Sequence, residues 1–152
     1  MDGIVMSTSV YRTILIPLEN SAADQEILRH IRPLAKFHGS QLILVHVADG
    51  FVARYQTQLD LQDSEEMNKD RAYLDRCMQE LQGEGFTVSA CLEQGEPAKR
   101  IVHVAQQRGC DLIAMSTHGH GVVKDLLLGS VAEAVRHRTD IPVLMVRARA
   151  QE

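Results

Sequence analysis

The residues with the most chemical promise lie between Ser116 and Ser130, in the stretch STHGHGVVKDLLLGS. Glycines stand at 119, 121 and 129, a short apolar run from Asp111 to Met115 leads in, and VAEAVRHR follows as a helix that Ser130 opens. A strand end, a glycine loop and a helix N-terminus together aim free backbone N–H groups at one point, which suits an anion such as a nucleotide phosphate chain. A turn that needs glycine only for its positive φ gives the same spacing. His118 and His120 form an H-x-H pair, but no third or fourth ligand is spaced near them, so no metal site is expected. The P-loop pattern G-x-x-x-x-G-K-[ST] is absent, and Lys124 reads as a solvated loop lysine.

The elements that must carry this loop can be read in order. Arg12 to Pro17 is a first strand, apolar without alternation and so buried on both faces. Ser21 is a fitting N-cap with Asp24 in the first turn. The helix that follows carries Ile27, Leu28, Ile31, Leu34 and Ala35 on one face, with Pro33 expected to kink or break it and Gly39 to end it. Gln41 to Val47 is a second buried strand, in which His46 reads as a core or strand-end histidine.

Residues 48 to 62, with Phe51, Tyr55, Leu59 and Leu61 among polar residues, read as the least regular part: a surface loop, a lid over the ligand or part of a subunit contact. A helix from Asp63 or Ser64 to about Gln82 buries Met67, Leu74, Cys77, Met78 and Leu81, with Asp70 and Arg71 interrupting the stripe. Phe86 to Leu92 is a third strand near a sheet edge. Pro97 opens a helix at its first position, Cys110 to Met115 is a fourth strand, and Ile141 to Arg147 is a fifth, with Pro142 suiting an edge.

Strict β-α alternation predicts an α/β fold: a five-stranded parallel sheet, doubly wound, with helices on both faces. Strand order 3-2-1-4-5 makes strands one and four neighbours at the switch point, where such folds bind ligands. The turn at 17–21 and the loop at 116–130 then face each other across one crevice. One domain is expected over residues 11–148, behind a loose tail at 1–10.

Composition narrows the function. Hydrophobic residues make up 45% and charged residues 24% of the 152, with a net charge of -4, which is ordinary for a globular chain. That charge balance and 4% aromatic content argue against nucleic-acid binding. No apolar run approaches the roughly 18 residues of a membrane span, and MDGIVMSTSVYR lacks the basic start and apolar core of a secretory signal. Cys77, Cys91 and Cys110 have neither metal-ligand nor redox spacing and read as small hydrophobes in a reducing cytosol. The apolar edge at Val143, Leu144, Met145 and Val146 predicts a homodimer, the fifth strand pairing across a two-fold axis.

From Thr13-Ile-Leu-Ile-Pro17 through Leu-Val-His-Val47, Gly95-Glu-Pro97 and Cys-Asp-Leu-Ile-Ala-Met115 to Pro142-Val-Leu-Met-Val-Arg147, the chain resembles the universal stress protein family. Nucleotide-binding members carry a glycine, two residues, a glycine, nine residues, then glycine and serine or threonine. Gly119, His120 to Leu128, and Gly129-Ser130 fit that spacing. Ser116 stands where the first glycine belongs, and Glu19 stands where the family has aspartate after the first strand.

The resemblance implies an adenine-nucleotide alpha-hydrolase-like fold and a site residue by residue. Pro17, Leu18, Glu19 and Val47 would line the adenine and ribose end, and Met115 and Ser116 would lie near the sugar. Gly119, Gly129, Ser130 and Val131 would meet the phosphates. The implied ligand is ATP, or else AMP or ADP, with Mg. The implied function is a cytoplasmic stress-response regulator acting as a nucleotide-dependent dimeric switch toward an unidentified protein partner. Two alternatives stand beside it: a family module that works through protein contacts without nucleotide, and a slow ATP-hydrolysing or nucleotidyl-transferring enzyme. No catalytic residue is assigned, and Asp125 or Glu19 are only candidates at a metal-bound water.

Overall fold

A computed structural model describes residues 10–49, 56–118 and 126–148. Nine elements alternate without exception: β1 (Thr13–Pro17), α1 (Ala23–His38), β2 (Gln41–Asp49), α2 (Gln56–Gly83), β3 (Thr87–Gly95), α3 (Pro97–Gln107), β4 (Leu112–His118), α4 (Leu126–Arg138) and β5 (Val143–Ala148). The five strands form one parallel sheet in the order β3-β2-β1-β4-β5, as the alternation predicts.

Two apolar layers cover the sheet. On one face Ile14, Ile16, Leu42, Leu44 and Ala114 pack against Ile27 and Ile31 of α1 and Leu74 and Leu81 of α2. On the other, Leu15, Ile43, Val45, Ile113 and Met115 pack against Ile101 and Ala105 of α3 and Ala132 and Val135 of α4. Neighbouring residues of β1 thus serve opposite cores, which is why its sequence is apolar without alternation. At the foot of the sheet, Asp111 accepts the Arg12 and Thr13 amides at 2.8 and 3.1 Å and ties β1 to the start of β4.

Three expectations need correction. Pro33 does not break α1, which continues to His38. Both Pro33 and Arg29, whose carbonyl loses its donor, are exposed, so water can serve that carbonyl. The irregular segment expected at 48–62 is mostly element: β2 runs to Asp49 and α2 begins at Gln56. No glycine or proline stands between Gly50 and Gly83, so nothing interrupts a helix there. The part of the segment that could act as a lid or a subunit contact, residues 50–55, lies outside the described residues. Finally, α4 begins at Leu126, four positions before Ser130. Gly129 costs such a helix about 1 kcal/mol, and Leu126 to Leu128 favour it.

The site is prepared by strand lengths. β1 stops at Pro17, level with Val45 of β2. β2 continues to Asp49 on one side and β4 to His118 on the other. The central strand therefore ends below both neighbours and leaves a notch at the switch point.

Candidate functional site: a crevice at the switch point

The wall of the notch is the turn that leaves β1. The Leu18 amide donates to the Val45 carbonyl at 2.8 Å, and His46 Nδ1 stands 2.7 Å from the Leu18 carbonyl. A carbonyl only accepts, so that ring nitrogen carries the proton and donates. Beyond Leu18 the chain turns through Asn20, whose φ is 64°.

Asp24 holds the turn in shape. It is fully buried, and its carboxylate accepts three successive amides: Glu19 at 3.0 Å, Asn20 at 2.8 Å and Ser21 at 3.3 Å. Tyr73 of α2 adds its hydroxyl at 2.6 Å. Reading Asp24 as a first-turn charge missed this role. The signal was present, because Ser21-Ala-Ala-Asp24 has the spacing of a capping box. Ser21 donates its hydroxyl to Glu19 Oε1 and accepts the Ala23 amide at 3.2 Å, so the Glu19 carboxylate is steered from within the turn. Burial, then the Asp24 carboxylate, pushes the Tyr73 phenol well above its ordinary value.

Above this wall lies a crevice of about 140 Å³. Five residues expected at the site line it: Pro17, Leu18, Glu19, Val47 and Val131. Val45 and His46 complete the β2 side, and Pro97 and Ile101 form the opposite rim on α3. Met115 is fully buried in the layer beneath α3 and α4. Ser116 is 1% exposed, and strand alternation turns it to the other face with Leu112 and Ala114. Its Oγ has no hydrogen-bond partner.

Gly119 lies outside the described residues, as do His120 and Asp125. Gly129 and Ser130 belong to the first turns of α4. Among the described residues, the amides left without intrahelical acceptors are those of Leu126 to Leu128, and the Gly129 amide already belongs to the helix. Among the described residues no group of three His, Cys, Asp or Glu side chains could hold a metal ion.

The cysteines stand apart from the crevice. Cys77 and Cys110 are buried and Cys91 is half-buried. Burial pushes all three thiols up, Cys110 to about 11.

Residues 10–147 match the universal stress protein family. The chain belongs to that family. Among curated members, universal stress protein MJ0577 of Methanocaldococcus jannaschii is 29% identical, over 92% of this chain and 97% of its own. The solved structure of MJ0577 superimposes with a TM-score of 0.82 at 28% identity, covering 93% of this chain and 99% of the other. Two further universal stress protein structures share the fold. One, from Archaeoglobus fulgidus, was solved in complex with dAMP (TM-score 0.63, 21% identity, 90% and 98% covered). The other was solved in complex with cAMP (TM-score 0.66, 20% identity, 92% and 99% covered).

As a universal stress protein the chain has two features that its family motif alone does not announce. One is the buried hydroxyl of Ser116 at the motif's first position. The other is a polar cluster behind the β1–α1 turn, made of Asp24, His46, Asp70 and Tyr73. No helix among the described residues is long and apolar enough to cross a membrane.

Proposed function

We propose that this universal stress protein is a cytoplasmic regulator that binds an adenine nucleotide in the switch-point crevice and works as a homodimeric switch. The observation that carries this reading is the crevice itself. It opens where β1 ends short of β2 and β4, and it is lined by Pro17, Leu18, Glu19, Val47 and Val131. Two relatives of the same fold bind cAMP and dAMP, which favours an adenine base as the occupant.

The residues present fit such a ligand. Val45, Val47, Ile101 and Val131 offer an apolar slot for a base. The Glu19 carboxylate can accept from base or sugar donors. The resemblance would put Ser116 near the sugar; its buried hydroxyl has an unmet hydrogen bond but faces the α1 and α2 side and does not line the crevice. At about 140 Å³ the crevice is below the usual 300–1,000 Å³ of small-molecule pockets, so it would take only part of an ATP. The phosphates would extend toward Gly119 and the open end of α4, where helix polarity favours negative charge. A Mg ion would travel with the phosphates of ATP. ATP, ADP and AMP would differ in how far they engage that end.

Dimerisation would use β5, the edge strand whose Val143, Leu144, Met145 and Val146 are only half-buried in the single chain. An unpaired apolar edge invites a second copy. Nucleotide binding would then shift how the dimer presents itself to a protein partner.

Heat-denaturing the purified protein and identifying the small molecules released tests the reading, together with titration by AMP, ADP and MgATP. Release or binding of an adenine nucleotide supports it. Neither release nor binding overturns it and favours a family module acting through protein contacts alone.

A further inference from the structure

We propose that His46 and Asp70 are positioning residues, a relay through which helix α2 sets the Leu18–Asn20 wall of the crevice. His46 follows Val45, the register partner of Pro17, and its two ring nitrogens face two different elements. Nδ1 holds the Leu18 carbonyl at 2.7 Å. Nε2 stands 3.2 Å from Asp70 Oδ2 of α2. The other Asp70 oxygen takes the Asn20 side-chain amide at 3.5 Å. Donation from both ring nitrogens at once takes an imidazolium, and in that form Asp70 reaches the wall twice, through His46 to Leu18 and directly to Asn20. Both members of the pair are largely withdrawn from water, at 14% and 18% side-chain exposure.

His46 and Asp70 each break a local rule: His46 interrupts the apolar run of a buried strand, and Asp70 interrupts the apolar stripe of α2. Local rules broken together at one place mark function more often than packing. The packing requirement is already met nearby, since Tyr73 and Leu74 dock α2 against Asp24 and the core. What His46 and Asp70 add is the position of one carbonyl and one side chain at the rim of the crevice. By linkage, whatever α2 does to that wall an occupant of the crevice does to α2.

Two substitutions separate the halves of the relay. His46→Asn keeps a donor near the Nδ1 position and loses the reach to Asp70. His46→Gln keeps a donor near the Nε2 position and loses Leu18. Amide exchange by NMR on the full chain reads the wall without any ligand, with the Ile14–Ile16 amides as the check that the fold is intact. Asp70→Ala and His46→Gln are expected to speed exchange at Glu19 and Asn20 about fivefold, the factor that one ordinary hydrogen bond is worth. His46→Asn, which keeps the hold on Leu18 and loses Asp70, should match Asp70→Ala at Glu19. The ring nitrogen shifts of His46 should move at Nε2 and not at Nδ1 in Asp70→Ala. Asp70→Asn is the substitute should Asp70→Ala fail to fold.

Wild-type exchange at Glu19 and Asn20 in both His46→Gln and the Asp70 variant overturns the proposal. An AMP titration adds the arm that rests on the nucleotide reading: the Asp70 variant should bind about fivefold more weakly. If the wild type binds no nucleotide, that reading fails while the exchange rates still decide the relay.

Discussion

The Tyr73 hydroxyl, on α2, donates to Asp24 Oδ2, on α1, at 2.6 Å. The same oxygen accepts the Asn20 and Ser21 amides, so one buried carboxylate joins two helices to the turn that walls the crevice.

Removing either partner should cost different amounts. Tyr73→Phe deletes one hydrogen bond to a charged group and should lower stability by about 2 kcal/mol. Asp24→Ala strands three backbone amides and the Tyr73 hydroxyl, and should lower it by about 4 kcal/mol. Urea unfolding followed by circular dichroism would measure both. Equal losses would contradict the central place given to Asp24.

Tyr73 should also resist ionisation. Burial, then the Asp24 carboxylate, raises its pKa from 10.0, so the phenolate signal of the native protein should be incomplete at a pH where free tyrosine is ionised. The group contributes stability that is whole below pH 10.0 and is lost above it, because only the unfolded chain then releases the proton. Spectrophotometric titration of the wild type against Tyr73→Phe checks this: the two curves should coincide until unfolding begins, and an extra phenolate titrating near pH 10.0 in the native wild type would refute it.

Ser116→Ala should separate fold from function. Its hydroxyl is buried and unpartnered, so its loss should stabilise the free protein by about 1 kcal/mol. If the hydroxyl meets the nucleotide sugar, the same change should weaken AMP binding by about fivefold. Stability by urea and affinity by calorimetry, in one preparation, give both signs.

Filling the crevice should abolish its use. Val131 is half-buried on α4 and lines the crevice opposite Leu18 and Val47. Val131→Phe should weaken adenine-nucleotide binding at least about tenfold, or 1.4 kcal/mol. Unaltered affinity with an intact fold would move the base elsewhere.

Alkaline stability should carry the signature of Cys110. Burial first, then the Asp111 charge, raises its thiol from 9.0 to about 11 in the folded chain. The unfolded chain therefore loses that proton first. The contribution is complete below pH 9.0 and falls away toward pH 11, by roughly 2–3 kcal/mol in all. Urea unfolding at pH 7.5, 9 and 10.5 should show a shallower decline for Cys110→Ala than for the wild type.

Much of this protein was legible before any coordinates. Unbroken apolar runs at 13–17 and 41–47 mark buried strands because a parallel sheet is covered on both faces. The apolar spacing of Ile27, Ile31 and Ala35, and of Ile101 and Ala105, marks helices because side chains repeat each 3.6 residues. The family resemblance implies a ligand site that includes Pro17, Glu19 and Val131, and these three residues line one crevice. The start of α2 was misread because Gln56 to Asp63 carry apolar residues only at 59 and 61, a spacing with no helical repeat. The start of α4 was misread because Gly129 looked like loop text.

The sequence by itself determined the alternation of elements, the apolar faces and the glycine motif, since each is a local pattern along the chain. The tertiary structure decided what the polar interruptions are for. Asp24, His46, Asp70 and Tyr73 meet only because β2 lies beside β1 and α2 packs against β2 and β3. Contacts between residues so far apart in the chain depend on strand order and helix docking, which no spacing of residue types encodes.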